Sequence, residues 1–202
     1  MVAKTPKSEN RPKRHPRWVP RKAFTLVEVI IVVTVIAVVA AMAIRLAEPD
    51  TNSDLQSAAQ IVMIDLDVAR SLSATNASNY RVSFNRTTHS YSIRHQGTNT
   101  SLNVLPTTAF HKVSDSGQQL DAALTDIPAL GSIVQIQQMA TGSFTSGGHA
   151  YVEFTPLGST TNTETSVIWL TAGSGTRQRY IPISVNPITG LASIGTISLT
   201  AP

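Results

Sequence analysis

Near its N-terminus the chain contains an apolar run of 21 residues, FTLVEVIIVVTVIAVVAAMAI, at positions 24–44. Its only polar members are Thr25, Glu28 and Thr34. A helix rises about 1.5 Å per residue, so a helix of this length extends about 30 Å, which is the hydrocarbon thickness of a bilayer. The run therefore predicts a transmembrane helix.

The charges are divided unevenly around this run. Residues 1–23 hold eight of the sixteen Lys and Arg side chains and one acid, Glu9. From residue 24 onward there are eight basic and eleven acidic side chains, a net charge of −3. Because basic segments stay on the cytoplasmic side of a membrane span, we expect residues 1–23 in the cytoplasm and the C-terminal part exported. The chain has no cysteine, which excludes thiolate chemistry and disulfides.

Two simpler interpretations explain the apolar run less well. A secretory signal peptide has an apolar region of about 7–15 residues followed by a small-residue cleavage site, and this run is longer. A plain single-span anchor leaves Glu28 unexplained, because a carboxylate inside a membrane segment costs about 2.5–3.5 kcal/mol. We therefore expect Glu28 to have a specific role.

The stretch RKAFTLVEVIIVV resembles the class III signal of type IV pilins and type II secretion pseudopilins. The resemblance implies that a membrane-embedded prepilin peptidase cuts between Ala23 and Phe24 and methylates the new amine of Phe24. Ala23 stands where the family usually has glycine. The resemblance also implies an assembly role for Glu28, whose carboxylate would pair with the N-terminal amine of a neighbouring subunit.

Beyond the apolar run, the pattern predicts a second, amphipathic helix. Pro49 predicts a kink or break, and Ser53 with Gln56 fits a capping box, so we expect the helix to restart near Ser53. Asp65 falls between the apolar positions and is assigned to the polar face. The predicted apolar stripe consists of Leu55, Ala59, Val62, Leu66, Ala69 and Leu72.

The remainder predicts β structure separated by glycine and proline turns. The segments 79–84 and 89–95 are expected to form a hairpin, and 150–155, 166–171 and 179–185 are further strand candidates. Residues 96–138 show no clear pattern. The predicted fold class is α+β, with a long N-terminal helix, half membrane-spanning and half amphipathic, packed on an antiparallel sheet as in pilins. The predicted segments are a cleaved leader (1–23), a transmembrane and assembly helix (24–47), the amphipathic half-helix (50–78) and an exported β domain (79–202).

A second resemblance concerns the exported part. LDVARSLSATNASNYRVSF, with its Ala69-Arg70 pair, and the closing stretches FTPLGSTTN and RQRYIPISVNPITGLASIG resemble the H-type minor pseudopilins and the related T-type fimbrial pilins. Some T-type members contact DNA through arginines after the last glycine turn. The matching stretch here, 189–192, reads Thr-Gly-Leu-Ala, so nucleic acid is not an expected partner.

No motif for catalysis, metal binding or a cofactor is found, and we expect no enzyme activity, no metal and no cofactor. Asp65 and Asp67, two residues apart on a helix, point to different faces. Arg177 and Arg179 are interpreted as a solvated turn in preference to an anion site. His89 and His95 are expected at the surface. A helical metal site needs two histidines at i, i+4 spacing, and no two of the five histidines have it. They are His15, His89, His95, His111 and His149.

Three hypotheses follow. The first is a minor pseudopilin of a type II secretion system: a single-pass inner-membrane protein with a cytoplasmic N-terminus and a periplasmic C-terminal domain. Its expected partners are the prepilin peptidase, other pseudopilins or pilins, and the inner-membrane assembly platform. The second is a minor pilin of a type IV pilus, and the third is a membrane-tethered enzyme or binding module.

Overall fold

The computed structural model describes residues 24–46, 50–106, 111–113, 117–127, 130, 134–140 and 149–202. The chain divides into two compact units, Met1–Glu48 and Pro49–Pro202, and each is described by itself. The predicted leader with Ala23 and the predicted break at Pro49 lie outside the described residues.

The first unit contains helix α1, Leu26–Leu46. Thr25 caps its first turn, because the Thr25 hydroxyl oxygen accepts a hydrogen bond from the Glu28 backbone N–H at 3.2 Å. Every side chain described from Phe24 to Met42 is exposed within this chain. Among the residues described, no helix combines the length and the apolar character needed to cross a membrane.

The second unit begins with helix α2, Thr51–Thr75. Its N-cap is Asp50, whose carboxylate accepts a hydrogen bond from the Asn52 backbone N–H at 3.2 Å. The prediction of a cap at Ser53 was wrong, because Asp50 already satisfies the first turn and Ser53 lies inside the helix. The apolar stripe was predicted correctly. Its members are buried except Leu72, which is half-buried: Leu55, Ala59, Val62, Leu66, Ala69 and Leu72.

Among the residues described after α2, nine strands form two antiparallel sheets. The strands are β1 Tyr80–Asn85, β2 Ser90–His95, β3 Lys112–Val113, β4 Gln119–Ala123, β5 Val134–Ala140, β6 His149–Phe154, β7 Ser166–Ala172, β8 Arg179–Val185 and β9 Ala192–Ile194. One sheet has the order β3-β4-β2-β1-β6 and the other β5-β7-β8-β9. Helix α2 contacts strands of both sheets, so the second unit is an α+β fold with the helix packed on antiparallel strands, as predicted.

The predicted hairpin is confirmed as β1 and β2, paired from Tyr80 with His95 to Asn85 with Ser90. The other three strand candidates are β6, β7 and β8, each within one residue of its expected limits. The segment that showed no clear pattern contributes β3, β4 and β5. Inward-facing strand residues alternate with exposed or half-buried ones, and these inward side chains join the α2 stripe in one core.

Candidate functional site

The residues assigned to processing and assembly lie at the start of α1. Phe24 is the first residue described, and Glu28 lies in the first helical turn. Glu28 and Val32 lie four residues apart on one face of α1, and Phe24 lies two residues before the helix begins. With Val29 and Val33 they line an open apolar cleft of about 240 Å³. The cleft therefore places a single carboxylate at the edge of an otherwise apolar surface.

The position of Glu28 in the first turn of α1 affects the chemistry of its carboxylate. An acidic side chain in the first turn is favoured by the partial positive charge of the helix N-terminus. If a second apolar helix covered the cleft, the carboxylate would lose water and would then attract a nearby ammonium group much more strongly than it does in water. The geometry is suited to binding one cation together with an apolar segment.

A second cluster of contacts surrounds Arg70, near the C-terminal end of α2. Its Nε–H donates to two backbone carbonyls, that of Gly158 at 3.2 Å and that of Thr189 at 2.8 Å. These carbonyls belong to two turns far apart in sequence, one after β6 and one after β8. Arg70 therefore joins α2 to both turns, and we call this arrangement the Arg70 clamp.

The backbone of the two turns is adapted to this contact. Gly158 has φ +78° and Gly190 has φ +64°, which favours glycine at both positions. A Cβ built on Gly190 would collide with the Gly158 carbonyl. The Thr160 N–H also donates to the Pro187 carbonyl at 2.8 Å, so the two turns are in direct contact.

The structure corrects the position of Asp65. This residue was predicted on the polar face of α2, but its side chain is buried and accepts a short hydrogen bond from the Tyr91 hydroxyl. The Nε2 atom of His111 lies 3.1 Å from the same carboxylate. Burial, and then the charge and hydrogen bond of Asp65, raise the pKa of Tyr91 well above its ordinary value. Asp67 is exposed, so the two acids do point in different directions.

His95 is also buried, which corrects its predicted place at the surface. Its Nε2 is 2.7 Å from the Ser78 hydroxyl and accepts from the Gly97 N–H at 3.2 Å. Nδ1 lies 2.8 Å from the Asn103 side-chain oxygen, which fits a proton on Nδ1. The order Ser, His, Asn is that of a nucleophile, a base and an orienting group. However, a Cβ on Gly97 would collide with the Ser78 hydroxyl, so Gly97 covers that hydroxyl closely. The network fastens the end of α2 to the segment after β2.

Of the two arginines predicted to form a turn, Arg177 lies between β7 and β8 and Arg179 is the first residue of β8. Arg177 is exposed and Arg179 is half-buried, and Arg179 donates from Nη1 to the carbonyls of Thr176 and Gln178. Both arginines line an open cleft of about 180 Å³ beside the first residues of α2. In the part of the chain that the structure describes, no group of three or more His, Asp or Glu side chains forms a metal site.

Comparison with known proteins concerns the N-terminus. The family model described as the prokaryotic N-terminal methylation motif matches residues 19–44. The chain therefore carries a type IV pilin-like prepilin signal, and this motif indicates a protein of the pilin or pseudopilin type. It implies processing by a prepilin peptidase and assembly with other pilin-like subunits. Neither a curated protein nor a solved structure matches the chain significantly.

Sequence reasoning identified the N-terminal site and did not identify the contacts within the second unit. The signal around Phe24 and Glu28 is local, because the motif is one contiguous stretch of the sequence, residues 19–44. The partners of Asp65 and His95 come from other elements, and residue spacing alone does not predict them. The sequence did contain a signal for the two turns of the Arg70 clamp: a Pro-x-Gly turn at Pro156 to Gly158 and a Pro-x-x-Gly turn at Pro187 to Gly190.

Proposed function

We propose that this protein is a minor pseudopilin: a membrane-anchored subunit that enters the short filament of a type II secretion system through α1. The observation that supports this most is the methylation motif at 19–44, which ends within α1, a helix whose described apolar side chains are all exposed. The described part of the second unit has a core of its own that includes no residue of α1, so the apolar surface of α1 is available for contacts outside the chain.

The physical argument begins with the composition of α1. Val and Ile dominate its sequence, and β-branched residues are weaker helix formers than Ala or Leu in isolation. Their exposed apolar surface is unfavourable in water, at about 25 cal/mol per Å². Lipid around one subunit, or the α1 helices of neighbours in a filament, would cover it. The helix is thereby suited to moving between a membrane and a helical assembly.

Glu28 gives this assembly its register. In our proposal its carboxylate binds the methylated amine of Phe24 in an adjacent subunit, within a dry environment that strengthens the attraction. Head-to-tail contacts build an open helical filament when the rotation between subunits does not close into a ring.

The test is Glu28→Gln, which keeps the size of the side chain and removes its charge. We expect leader cleavage to continue and incorporation into filaments to fall at least tenfold, because the neutral amide enters the membrane more easily but loses the ion pair. Glu28→Asp is the matched control, with charge retained on a shorter side chain, and it should assemble partially. Normal assembly of Glu28→Gln would contradict the proposed role.

Processing is tested separately by mass spectrometry of the mature N-terminus. We expect cleavage between Ala23 and Phe24 and methylation of the Phe24 amine, and Ala23→Gly should be processed equally or faster. An intact leader, or a cut after residue 44, would contradict the proposal.

A minor pilin of a type IV pilus remains the alternative from the same class, because the motif is common to both. Crosslinking in intact membranes, followed by identification of the co-purified subunits, separates the two machines. Pseudopilins and secretion-platform proteins are the expected partners. Major pilins and pilus-platform proteins would favour the alternative.

A further inference from the structure

The outer face of the five-stranded sheet brings two arginines side by side. Arg81 on β1 and Arg94 on β2 are directly opposite each other in the register of the two strands. The next residues along each strand, Val82 and Ile93, are buried, so both arginines belong to the face that points away from the core. Residues directly opposite on adjacent strands have Cβ atoms about 4.5–5.5 Å apart. The two side chains therefore belong to one contiguous piece of surface.

Two serines extend this surface. Ser83 and Ser92 are also opposite each other, and each is two residues along its strand from an arginine. Because side chains alternate along a strand, residues two apart point to the same face, and the four side chains form a two-by-two group. In the part of the chain that the structure describes, neither serine hydroxyl has a hydrogen-bond partner. We call Arg81, Arg94, Ser83 and Ser92 the Arg–Ser cluster.

Arg81 is held in place by strand β6. Its Nε and Nη2 groups donate to one carboxylate oxygen of Glu153, at 2.9 and 2.6 Å, and Asn79 donates to the other oxygen at 2.9 Å. The Arg81 guanidinium also lies over the ring of Tyr151, 4.1 Å from its centroid. Among the described residues the Nη1 group of Arg81 has no acceptor. Arg81 is thus an ordered side chain with donors to spare, and a ligand that binds it loses little side-chain entropy.

Arg94 carries the uncompensated charge of the cluster. It is exposed, and no described residue forms a hydrogen bond or an ion pair with its guanidinium. Its cross-strand neighbour is another arginine, and like charges directly opposite each other destabilise a sheet. Glu153 forms its ion pair with Arg81 and not with Arg94. An anion between the two guanidinium groups would remove this repulsion and would accept charge-assisted hydrogen bonds from both.

Two acidic residues flank the cluster and limit the anion to one charged group. Glu153 is opposite Arg81 on β6, and Asp121 is opposite Ser92 on β4. A polyanion such as nucleic acid would bring further negative charges against both carboxylates. A single carboxylate avoids them, and its two oxygens match the paired N–H groups of a guanidinium. The cluster therefore selects one carboxylate group.

The openness of the cluster indicates that a protein carries this carboxylate. An ion pair at an exposed arginine contributes little by itself, so a free carboxylate would be released readily. A carboxylate on a protein surface is retained better, because the residues around it make further contacts. Tyr151, which is 42% exposed, lies opposite Ser83 at the side of the cluster. Tyrosine and arginine are both enriched in protein interfaces.

We propose that the Arg–Ser cluster is a docking site for an aspartate or glutamate side chain of a partner protein. Arg94 is the main cation, and Arg81 is a second donor that is already ordered. The site lies wholly within the second unit and is independent of the assembly proposed for α1. Its failure would leave the roles proposed for Phe24 and Glu28 unchanged.

The first test measures carboxylate binding with a defined probe. The full-length chain in detergent is titrated with N-acetylglutamate N′-methylamide, and the arginine Nε–H resonances are followed by NMR. We expect saturable shifts at Arg94 and Arg81, at least fivefold smaller shifts with the neutral glutamine analogue, and at least fivefold weaker binding to Arg94→Gln. Arg86→Gln, at an exposed position in the β1–β2 turn, is the matched control and should bind normally. No carboxylate-dependent shift, or tighter binding of a double-stranded oligonucleotide, would overturn the proposal.

The second test identifies the source of the carboxylate in native membranes. Arg94→Lys keeps the positive charge and supplies an amine, which a carbodiimide joins to a carboxylate in contact with it. We expect an adduct with an aspartate or glutamate of another protein, mapped by mass spectrometry, at least fivefold above the level for Arg86→Lys.

An internal control shows that the carbodiimide has reacted. The ion pair of Lys112 with Asp126, at 2.8 Å, should be joined in both lysine variants. The proposed docking site requires the carboxylate-dependent shift and the adduct together. Adducts only with Asp121 or Glu153 of the same chain, or no excess over Arg86→Lys, would overturn docking to a protein.

Discussion

Replacing Arg70 with Met removes the clamp while keeping a long, unbranched side chain. The lost interaction is one charged N–H shared by two carbonyls at 3.2 and 2.8 Å in a partly buried site. Hydrogen bonds to charged groups contribute about 1.5–3 kcal/mol each, and the shared donor and partial exposure reduce the sum. We therefore expect Arg70→Met to lower the free energy of unfolding by about 2–3 kcal/mol.

The assay is thermal and urea unfolding of the full-length chain in detergent, followed by near-ultraviolet circular dichroism. A loss of this size corresponds to a decrease in Tm of about 5–10 °C for a unit of roughly 150 residues. Arg70→Lys keeps the charge and loses the Nε–H, so it should behave much like Met. Arg94→Met, at an exposed position on β2, is the matched control and should change stability by less than about 0.5 kcal/mol.

Hydrogen exchange adds a local prediction for the same variant. The Thr160 N–H, which donates to Pro187, and the Gly190 N–H, which donates to Asn186, should exchange faster when the clamp is removed. Amides in the β1–β2 hairpin should keep their protection. A stability loss below about 1 kcal/mol, or faster exchange spread evenly over the unit, would refute the view that Arg70 joins the two turns.

Three further predictions test other parts of the second unit. Gly190→Ala should lower the free energy of unfolding by about 2–4 kcal/mol in a denaturant titration, because alanine at φ +64° is strained and its Cβ meets the Gly158 carbonyl. An unchanged free energy of unfolding would contradict the close contact of the two turns. Above pH 10, the ordinary pKa of tyrosine, the unfolded chain releases the Tyr91 proton and the folded chain keeps it, so stability should fall by about 1.4 kcal/mol per pH unit. Tyr91→Phe should make that decline shallower, and an unchanged slope would contradict the raised pKa. A fragment of residues 50–202 should fold and sediment as a soluble monomer, and its aggregation would contradict an independent core. In this fragment Asp50→Ala, which removes the N-cap of α2, should lower the free energy of unfolding by about 1 kcal/mol.

The helical part of the fold was predictable because its signals are local. The methylation motif is one contiguous stretch, and the stripe from Leu55 to Leu72 recurs at helical spacing, so neither depends on contacts with distant parts of the chain. The hairpin of β1 and β2 was predictable for the same reason, since its turn and both strands are contiguous. The N-terminal boundary of α2 was predicted less accurately, because the side chain of Asp50, and not that of Ser53, caps the helix.

The contacts that could not be predicted join residues distant in sequence. Asp65 is separated from Tyr91 by 26 residues and Arg70 from Thr189 by 119. The buried Asp65 carboxylate on α2 accepts a hydrogen bond from Tyr91 on β2, and periodicity contains no information about that partner. The expectation that His95 is exposed was wrong for the same reason, because Ser78 and Asn103 satisfy both ring nitrogens.

The two units differ in what they can contribute to an assembly. Helix α1 exposes Val and Ile side chains on every described side, and such a surface packs against lipid and against many apolar helices with little discrimination. Glu28 supplies one fixed point on that surface, which can set the axial position of a subunit but cannot identify its neighbour, because every subunit with the same motif offers the same amine. Discrimination among neighbours requires a surface with its own shape, held rigidly and different from one subunit to another. Helix α1 does not supply such a surface, because the side chains described from Phe24 to Met42 are apolar apart from Thr25, Glu28 and Thr34.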